Sequence, residues 1–165
     1  MGLFRTLFFC AMLMIFILPL EVHSQSLQPD IKTLSMGADI IVTGKVVNQK
    51  SQWNKDKTRI STQSTIAVDE YLKGNDGNNK LIVTTPGGEV GEVGELYTHM
   101  PRFSSDEEVL VFVKQDKKDM SYKVLNGEDG KLTLFKDKTT GESVTSSNKK
   151  ISSLKKEIKN YVEKE

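Results

Sequence analysis

Side chains capable of chemistry are concentrated in one glycine-rich segment, Thr85–Phe103. Its glycines recur at every third position and each is followed by a glutamate: Gly88, Gly91 and Gly94, with Glu89, Glu92 and Glu95. A phosphate-binding loop needs a lysine and a serine or threonine after its glycines, at the start of a helix. Carboxylates repel phosphate, so this type of loop is excluded. A weak divalent-cation site is one interpretation, because hard cations bind carboxylate oxygens. We predict instead a hairpin with solvated charges and no metal site, since nothing in the spacing forces the glutamates to converge.

The same segment contains His99, the one histidine beyond residue 24. A zinc site built from several histidines and cysteines is therefore excluded from that part of the chain. A serine hydrolase would have to use His99 as its base, but no Gly-x-Ser-x-Gly motif presents a nucleophile. We predict no catalytic residue and no cofactor. A hydrolase of unusual design that uses His99 is the alternative.

The first 24 residues have the pattern of a secretory signal peptide. Arg5 supplies a positive charge before the apolar run Leu7–Leu20, and Val22 and Ser24 occupy the small-residue positions of a cleavage site. We predict cleavage after Ser24 and a secreted, periplasmic or cell-envelope location. The run is shorter than the roughly 20 apolar residues of a membrane-spanning helix. An uncleaved anchor is therefore the alternative, and no stable membrane insertion is expected after cleavage.

Residues 25–165 are predicted to form one domain, and this domain contains no cysteine, because Cys10 is the only one in the chain. A chain of this length can bury a core without disulfides. Lysine and arginine total 23 against 22 acidic residues, so the net charge is +1. A nucleic-acid-binding domain has a basic surface and a high pI. We therefore predict no nucleic-acid partner.

Several segments of this domain have the composition of β-strands. They are Asp39–Asn48, Arg59–Leu72, Lys80–Thr85, Glu108–Lys114, and a hairpin of Tyr122–Leu125 with Lys131–Phe135. The fourth segment is apolar on both faces, which predicts a central strand covered on each side. Gly44 inside the first segment predicts a bend or a close backbone approach. Residues 49–57, which include Trp53, are predicted to form a polar turn.

Helical patterns flank these strands. Ser26–Leu34 predicts a short helix with Gly37 at its exit. Near the C-terminus, Ile151, Leu154 and Ile158 fall at helical spacing among charged residues, which predicts an amphipathic closing helix. A membrane-surface helix is the alternative, and its interspersed glutamates argue against it. Short strands with a helix at each end predict a mainly β fold, as a small antiparallel barrel or sandwich.

Five stretches together resemble small exported bacterial domains, most of which are uncharacterised. They are Ala38–Val47, Ile66–Gly74, Thr85–Gly88, Pro101–Phe103 and Asp106–Val113. Their order is similar to that of netrin-like and metalloproteinase-inhibitor domains, which are barrels of the oligonucleotide/oligosaccharide-binding (OB) type. The resemblance covers Ala38 to Lys114 and implies a five- to six-stranded antiparallel barrel. Those inhibitors use an N-terminal cysteine and disulfides, which have no counterpart after Ser24, so their mechanism does not carry over.

We therefore predict an exported, non-enzymatic binding or interaction module for an unknown protein or glycan ligand. The Gly87–Phe103 loop is the predicted contact surface, because recognition is commonly carried by long loops on rigid scaffolds. Aromatic side chains are typical anchors of such surfaces. The predicted contact residues are Glu89, Glu92, Glu95, Tyr97, His99 and Trp53. A structural component of the cell envelope is a further alternative.

Overall fold

The computed structural model describes residues 29–164, so the predicted signal peptide and its cleavage site lie outside the described residues. The described chain contains two α-helices, nine strands and one short 3₁₀ helix. In chain order they are α1 (Ile31–Gly37), β1 (Ile40–Trp53), β2 (Ile60–Lys73), β3 (Lys80–Pro86), β4 (Gly88–Val90), β5 (Val93–Glu95), β6 (Glu108–Gln115), β7 (Tyr122–Val124), the 3₁₀ helix (Gly127–Gly130), β8 (Lys131–Lys136), β9 (Ser143–Thr145) and α2 (Ile151–Val162).

Five of these strands close into a barrel. The pairs are β1–β2, β2–β3, β3–β7, β7–β6 and β6–β1. All are antiparallel except β3–β7, which run parallel and pair at Val83 and Tyr122. Strands β8 and β9 extend the sheet beyond the barrel. The predicted mainly β barrel with a helix near each end is confirmed, and its closure is compatible with an OB-like barrel.

The hydrophobic core has two layers, and β6 contributes to both. Val109, Val111 and Val113 point into the barrel. Leu110 and Phe112 point outward, where they pack beneath the two helices. All five side chains are fully buried, so the predicted central strand is confirmed. Because successive side chains of a strand alternate between faces, an apolar run on a central strand serves both layers.

Strand β1 is longer than predicted. The polar turn predicted for residues 49–57 is wrong in its first part, because β1 stays paired with β2 until Trp53 faces Ile60. An irregularity between Val46 and Asn48 accommodates one extra residue in this long strand. The close approach predicted at Gly44 is confirmed, since a Cβ there would lie 2.2 Å from a backbone oxygen of β2.

The predicted hairpin between residues 122–125 and 131–135 is wrong. Strands β7 and β8 do not pair with each other; both pair with β6, one after the other along it. The 3₁₀ helix between them displaces the chain without reversing it. Gly130 makes this path feasible, because a Cβ there would lie 1.9 Å from the carbonyl oxygen of Leu125. The turn-like composition of residues 126–130 therefore correctly predicted a break between the two strands, but it wrongly predicted that the chain reverses there.

The helices close one side of the barrel. Helix α1 starts after its N-cap Asp30, whose carboxylate accepts hydrogen bonds from two backbone N–H groups. Helix α2 buries Leu154 and Ile158 in the outer layer, as the amphipathic pattern predicts. Lys155 and Lys159 both donate to Glu70 on β2 at 2.8 Å, which holds the pKa of that carboxyl below its ordinary value. Among the described residues, neither helix has the length and apolarity to cross a membrane.

Candidate functional site

The barrel interior changes character from one end to the other along the same three strands. Val46, Ile66 and Leu81 face one another across β1, β2 and β3, and we call them the aliphatic row. Two side-chain repeats further along β2, Ser51, Thr62 and Thr85 also face one another, and we call them the hydroxyl row. The extra residue in β1 determines this composition. Without it, the strand would present Lys50 rather than Ser51 beside Thr62.

The hydroxyl row has an ordered set of hydrogen bonds. The Thr62 hydroxyl donates to the carbonyl oxygen of Gly87 at 2.7 Å. Because that bond uses its only proton, the Ser51 hydroxyl, 2.9 Å away, is the donor to Thr62. The lone pairs of the Ser51 oxygen are therefore free to accept. Gly88 lies directly above, where a Cβ would come within 2.2 Å of the Thr62 oxygen, so only glycine fits.

The glycine-rich segment forms a hairpin of β4 and β5, as predicted. The first residues after it are fixed by three polar side chains. The Tyr97 hydroxyl donates to the carboxylate of Glu95 at 3.0 Å and accepts from the guanidinium of Arg59 at 2.9 Å. The same carboxylate accepts from the backbone N–H of Ile60 at 3.1 Å. The Tyr97 ring therefore has a set orientation at the end of the barrel.

The far end of the segment is attached through Phe103 and Lys131. The Phe103 ring is buried, its carbonyl oxygen accepts from the Gln49 amide at 2.9 Å, and the Lys131 ammonium lies 5.2 Å from the ring centroid. Lys131 also donates to the carbonyl oxygen of Arg102 at 2.7 Å and pairs with Glu107. The Lys131 and Glu107 side chains are only 10% and 12% exposed, so this ion pair is a largely buried attachment.

The charge state of this pair follows from its surroundings. Burial raises the pKa of Glu107, but hydrogen bonds from Lys131, Thr133 and the backbone N–H of Ser104 outweigh burial and hold it below its ordinary value. Glu107 is therefore ionised at neutral pH and compensates the ammonium of Lys131.

The segment lines two adjoining, open cavities at this end of the barrel. The first, which we call the cleft, has a volume of about 670 Å³ and has the hydroxyl row in its lining. The second, which we call the side cavity, has a volume of about 630 Å³ and lies toward the 3₁₀ helix. Four residues line both cavities, and we call them the ridge: Leu96, Tyr97, Met100 and Arg102. A ligand could therefore pass across the ridge from one cavity to the other.

The predicted contact residues divide into three groups. Glu89 and Glu95 line the cleft, and Tyr97 lines both cavities. His99 lines the side cavity. Glu92, at the tip of the hairpin, and Trp53, at the end of β1, line neither cavity. The structure thus brings four of the six side chains to one end of the barrel.

His99 is exposed and lies in a turn. Its backbone has a positive φ of 59°, and its side chain is 85% exposed. The imidazole Nδ1 lies 3.4 Å from the carboxylate of Glu128, and the His99 carbonyl oxygen accepts from the Glu128 N–H. Among residues 29–164, no serine or threonine hydroxyl forms a hydrogen bond with the ring.

The glutamates of the segment do not converge. The carboxylate of Glu95 is used by Tyr97 and the backbone of Ile60, whereas Glu89 and Glu92 are exposed. Within the part of the chain that the structure describes, no group of three or more histidine, cysteine, aspartate or glutamate side chains is placed to hold a metal ion. Their arrangement therefore does not support the divalent-cation interpretation.

Sequence reasoning missed most of the hydroxyl row and the apolar part of the ridge. Of the hydroxyl row, the alternating pattern of β2 indicated only Thr62, which shares one face of the strand with Ile66. No pattern marked Leu96, although its side chain is 71% exposed. Arg102 lay inside the predicted Gly87–Phe103 loop, but it was not predicted as a contact residue.

Comparison with known proteins gives no assignment for this site. No protein-family model matches the chain, and no curated protein is significantly similar to it. Fold and site together define a closed five-stranded barrel with an open cleft at the polar end of its interior.

Proposed function

We propose that this chain is an exported, non-enzymatic binding module on an OB-like barrel, and that its ligand occupies the cleft. The observation that carries the proposal is the hydroxyl row, which opens into a cavity of about 670 Å³. Ligand pockets are concave and measure roughly 300–1,000 Å³, with a few placed polar groups among apolar ones. The cleft has this size and this mixture.

The polar end of the barrel contributes less stability than an aliphatic end would. Small barrels normally fill their interior with side chains, and a hydrogen bond contributes about 0.5–1.5 kcal/mol net, less than the about 1.5–3 kcal/mol of a buried aliphatic side chain. An aliphatic row at Ser51, Thr62 and Thr85 would close the barrel at lower cost. The ridge also leaves Leu96 71% and Met100 39% exposed to solvent. Exposed apolar side chains beside a fixed aromatic ring are typical of contact surfaces.

The chemistry of the lining supports binding rather than catalysis. Ser51 is the serine of the cleft, and its hydroxyl donates to Thr62 instead of to a base. A nucleophilic serine needs a base within hydrogen-bond reach and a third group to orient that base. His99 lies in the other cavity, paired with Glu128.

Two further parts of the proposal rest on the sequence. Export is supported by the signal pattern of residues 1–24, and a cysteine-free domain is compatible with either side of a membrane. The closed five-stranded barrel supports the resemblance to netrin-like domains only at the level of the fold. Fold alone does not assign a ligand, so the partner is proposed to be a protein or a glycan recognised at the cleft.

Affinity capture tests this proposal. The purified, naturally processed protein is immobilised and incubated with culture fluid and with envelope extract. The double variant Leu96→Ser, Met100→Ser changes the ridge, and the matched control Met120→Ser, Phe135→Ser changes two exposed apolar residues that line neither cavity. We expect the ridge variant to lose at least about tenfold of the captured material and the control to retain it. Equal capture by folded ridge and control variants would contradict the proposal.

A further inference from the structure

The shape of the site favours an elongated ligand. The cleft and the side cavity have similar volumes, about 670 and 630 Å³, and they meet at the ridge. A compact small molecule would fill one cavity and leave the other empty. A chain of repeating units would cross the ridge and occupy both.

The polar groups that line the cleft suit a ligand rich in hydroxyl groups. The amide nitrogen of Gln49 donates to Phe103 and Ser64, so its amide oxygen is free to accept from a ligand. The Ser51 oxygen is a second acceptor, for the reason given above, and the exposed carboxylate of Glu89 at the rim is a third. The guanidinium of Arg102 supplies donors on the ridge. A hydroxyl both donates and accepts, so a ligand rich in hydroxyls can use every one of these groups.

Tyr97 provides a flat apolar surface between the two cavities. Its hydroxyl is held by Glu95 and Arg59, so the ring loses little freedom when a ligand packs on it. One edge of the ring packs against the backbone of Gly87, where a Cβ would lie 3.2 Å from Tyr97 Cδ2. The C–H groups of a pyranose ring carry partial positive charge and pack well on an aromatic face.

The charges of the site favour a neutral ligand. Three carboxylates, Glu89, Glu95 and Glu128, and two guanidinium groups, Arg59 and Arg102, lie at the cleft, its ridge and the side cavity. Lys131 adds no net charge, because it is paired with Glu107. A strongly anionic polymer would meet a net repulsion here, and a strongly cationic polymer would meet two guanidinium groups among the carboxylates.

The backbone around the cleft is poorly suited to a peptide. Extended peptides are commonly bound by adding a strand to a free sheet edge. In the cleft, the N–H of Gly87 donates to Ile60, and its carbonyl oxygen accepts from Thr62. Strand β4 is paired with β5. A peptide would therefore find no free backbone group at Gly87.

We propose that the ligand is a neutral oligosaccharide that lies across the Tyr97 ridge, with sugar units in both the cleft and the side cavity. This inference rests on the proposed function and specifies its ligand class. The hydroxyl row and Gln49 bind sugar hydroxyls, and Tyr97 packs against one sugar ring.

Calorimetric titration of the naturally processed protein tests the inference. The probes are cellohexaose, maltohexaose and hexa-N-acetylchitohexaose, the corresponding disaccharides, a hexauronate and an unstructured octapeptide. We expect one neutral hexaose to bind at least about tenfold more tightly than its disaccharide, because it reaches both cavities. Tyr97→Ala is expected to weaken that binding by about tenfold. The matched control Phe135→Ala removes an exposed ring that lines neither cavity and leaves the affinity unchanged.

A second variant covers the case in which Tyr97→Ala does not fold. Tyr97→Phe keeps the ring but removes the hydroxyl contacts with Glu95 and Arg59, and we expect a loss of about threefold. No binding of any neutral hexaose, or hexaose binding that neither Tyr97 variant changes, would overturn the inference. Binding of the hexauronate or the octapeptide alone would also overturn it. The capture experiment above then shows separately whether the cleft is a binding site, because it does not depend on the ligand class.

Discussion

The aliphatic row and the hydroxyl row occupy the same three strands, face the same barrel interior and lie two side-chain repeats apart, yet they differ in almost every property. The aliphatic side chains are fully buried and each pairs with the next across the sheet. The hydroxyl row ends in an open cleft and forms hydrogen bonds to the loop that covers it. One end of the interior therefore holds the barrel together, and the other end is available for a ligand.

The two rows also differ in what they contribute to stability. Burying an aliphatic side chain contributes about 1.5–3 kcal/mol, whereas a typical hydrogen bond contributes about 0.5–1.5 kcal/mol net. The barrel can therefore lose contacts in the hydroxyl row and stay folded. A binding site is more easily accommodated where the stability of the fold depends least on each side chain.

Truncation in the aliphatic row has the largest expected effect on stability. Ile66→Ala removes a fully buried side chain and should lower the free energy of unfolding by about 2–5 kcal/mol, through lost burial and a new cavity. Thr62→Val, at the equivalent place in the hydroxyl row, should cost about 1–2 kcal/mol, because it leaves the carbonyl oxygen of Gly87 without its donor. Urea denaturation measures both values. Equal costs would remove the distinction between the rows.

Substitution above the hydroxyl row has the next largest expected effect. Gly88→Ala should cost about 1–3 kcal/mol, because the residue has a positive φ of 130° and the new Cβ would collide with the Thr62 oxygen. Gly91→Ala is the matched control. It also has a positive φ, of 63°, but a Cβ there has no atom within 4 Å, so its expected cost is about 1 kcal/mol. Thermal unfolding measures both costs. If the two costs are equal, the close contact between Gly88 and the Thr62 oxygen does not affect stability.

Acid should loosen the attachment of the loop through Glu107. Since the folded state lowers the pKa of Glu107 below its ordinary value of 4.5, the stability it contributes is present above that pH. This stability is lost as the pH falls from about 4.5 through the folded-state pKa. Urea denaturation across this range should show a steeper decline for the natural protein than for Glu107→Gln. Parallel declines would mean that the buried ion pair with Lys131 does not hold the loop.

Thr43→Val has the smallest expected effect, and it should be stabilising. Thr43 is buried on the outer face of β1, and its hydroxyl has no hydrogen-bond partner among the described residues. Replacing an unpartnered hydroxyl with a methyl group of similar shape should raise the free energy of unfolding by about 1 kcal/mol. The same change at Thr62 should destabilise, because that hydroxyl has partners. Stabilisation at both positions would mean that the hydroxyl row is not held by its hydrogen bonds.

Local patterns predicted the parts of the fold that depend on local chemistry. The apolar run of β6 and the helical spacing of Leu154 and Ile158 identified both core layers. The register of β1 could not be predicted, because one extra residue near Val47 reverses which later side chains face inward. Ser51 joined the hydroxyl row for that reason alone.

The candidate site was predictable in place but not in detail. Its glycines and glutamates marked the segment, and Tyr97 was chosen as an aromatic anchor. Arg59 contacts Tyr97, and Lys131 contacts Phe103. Both contacts join residues that are far apart in the chain. Pair contacts over such separations are set by the closed barrel, and a single sequence does not contain them.

Hydrogen–deuterium exchange of the protein, alone and saturated with its captured ligand, tests the central claim most directly. If the hydroxyl-row end is the binding site, added protection should be confined to Gln49–Ser51, the Gly87–Phe103 loop and the neighbouring 3₁₀ helix. The amides of the aliphatic row and of α2 should exchange as before. Protection centred on α2 or on β8 and β9, with the loop unchanged, would contradict the account.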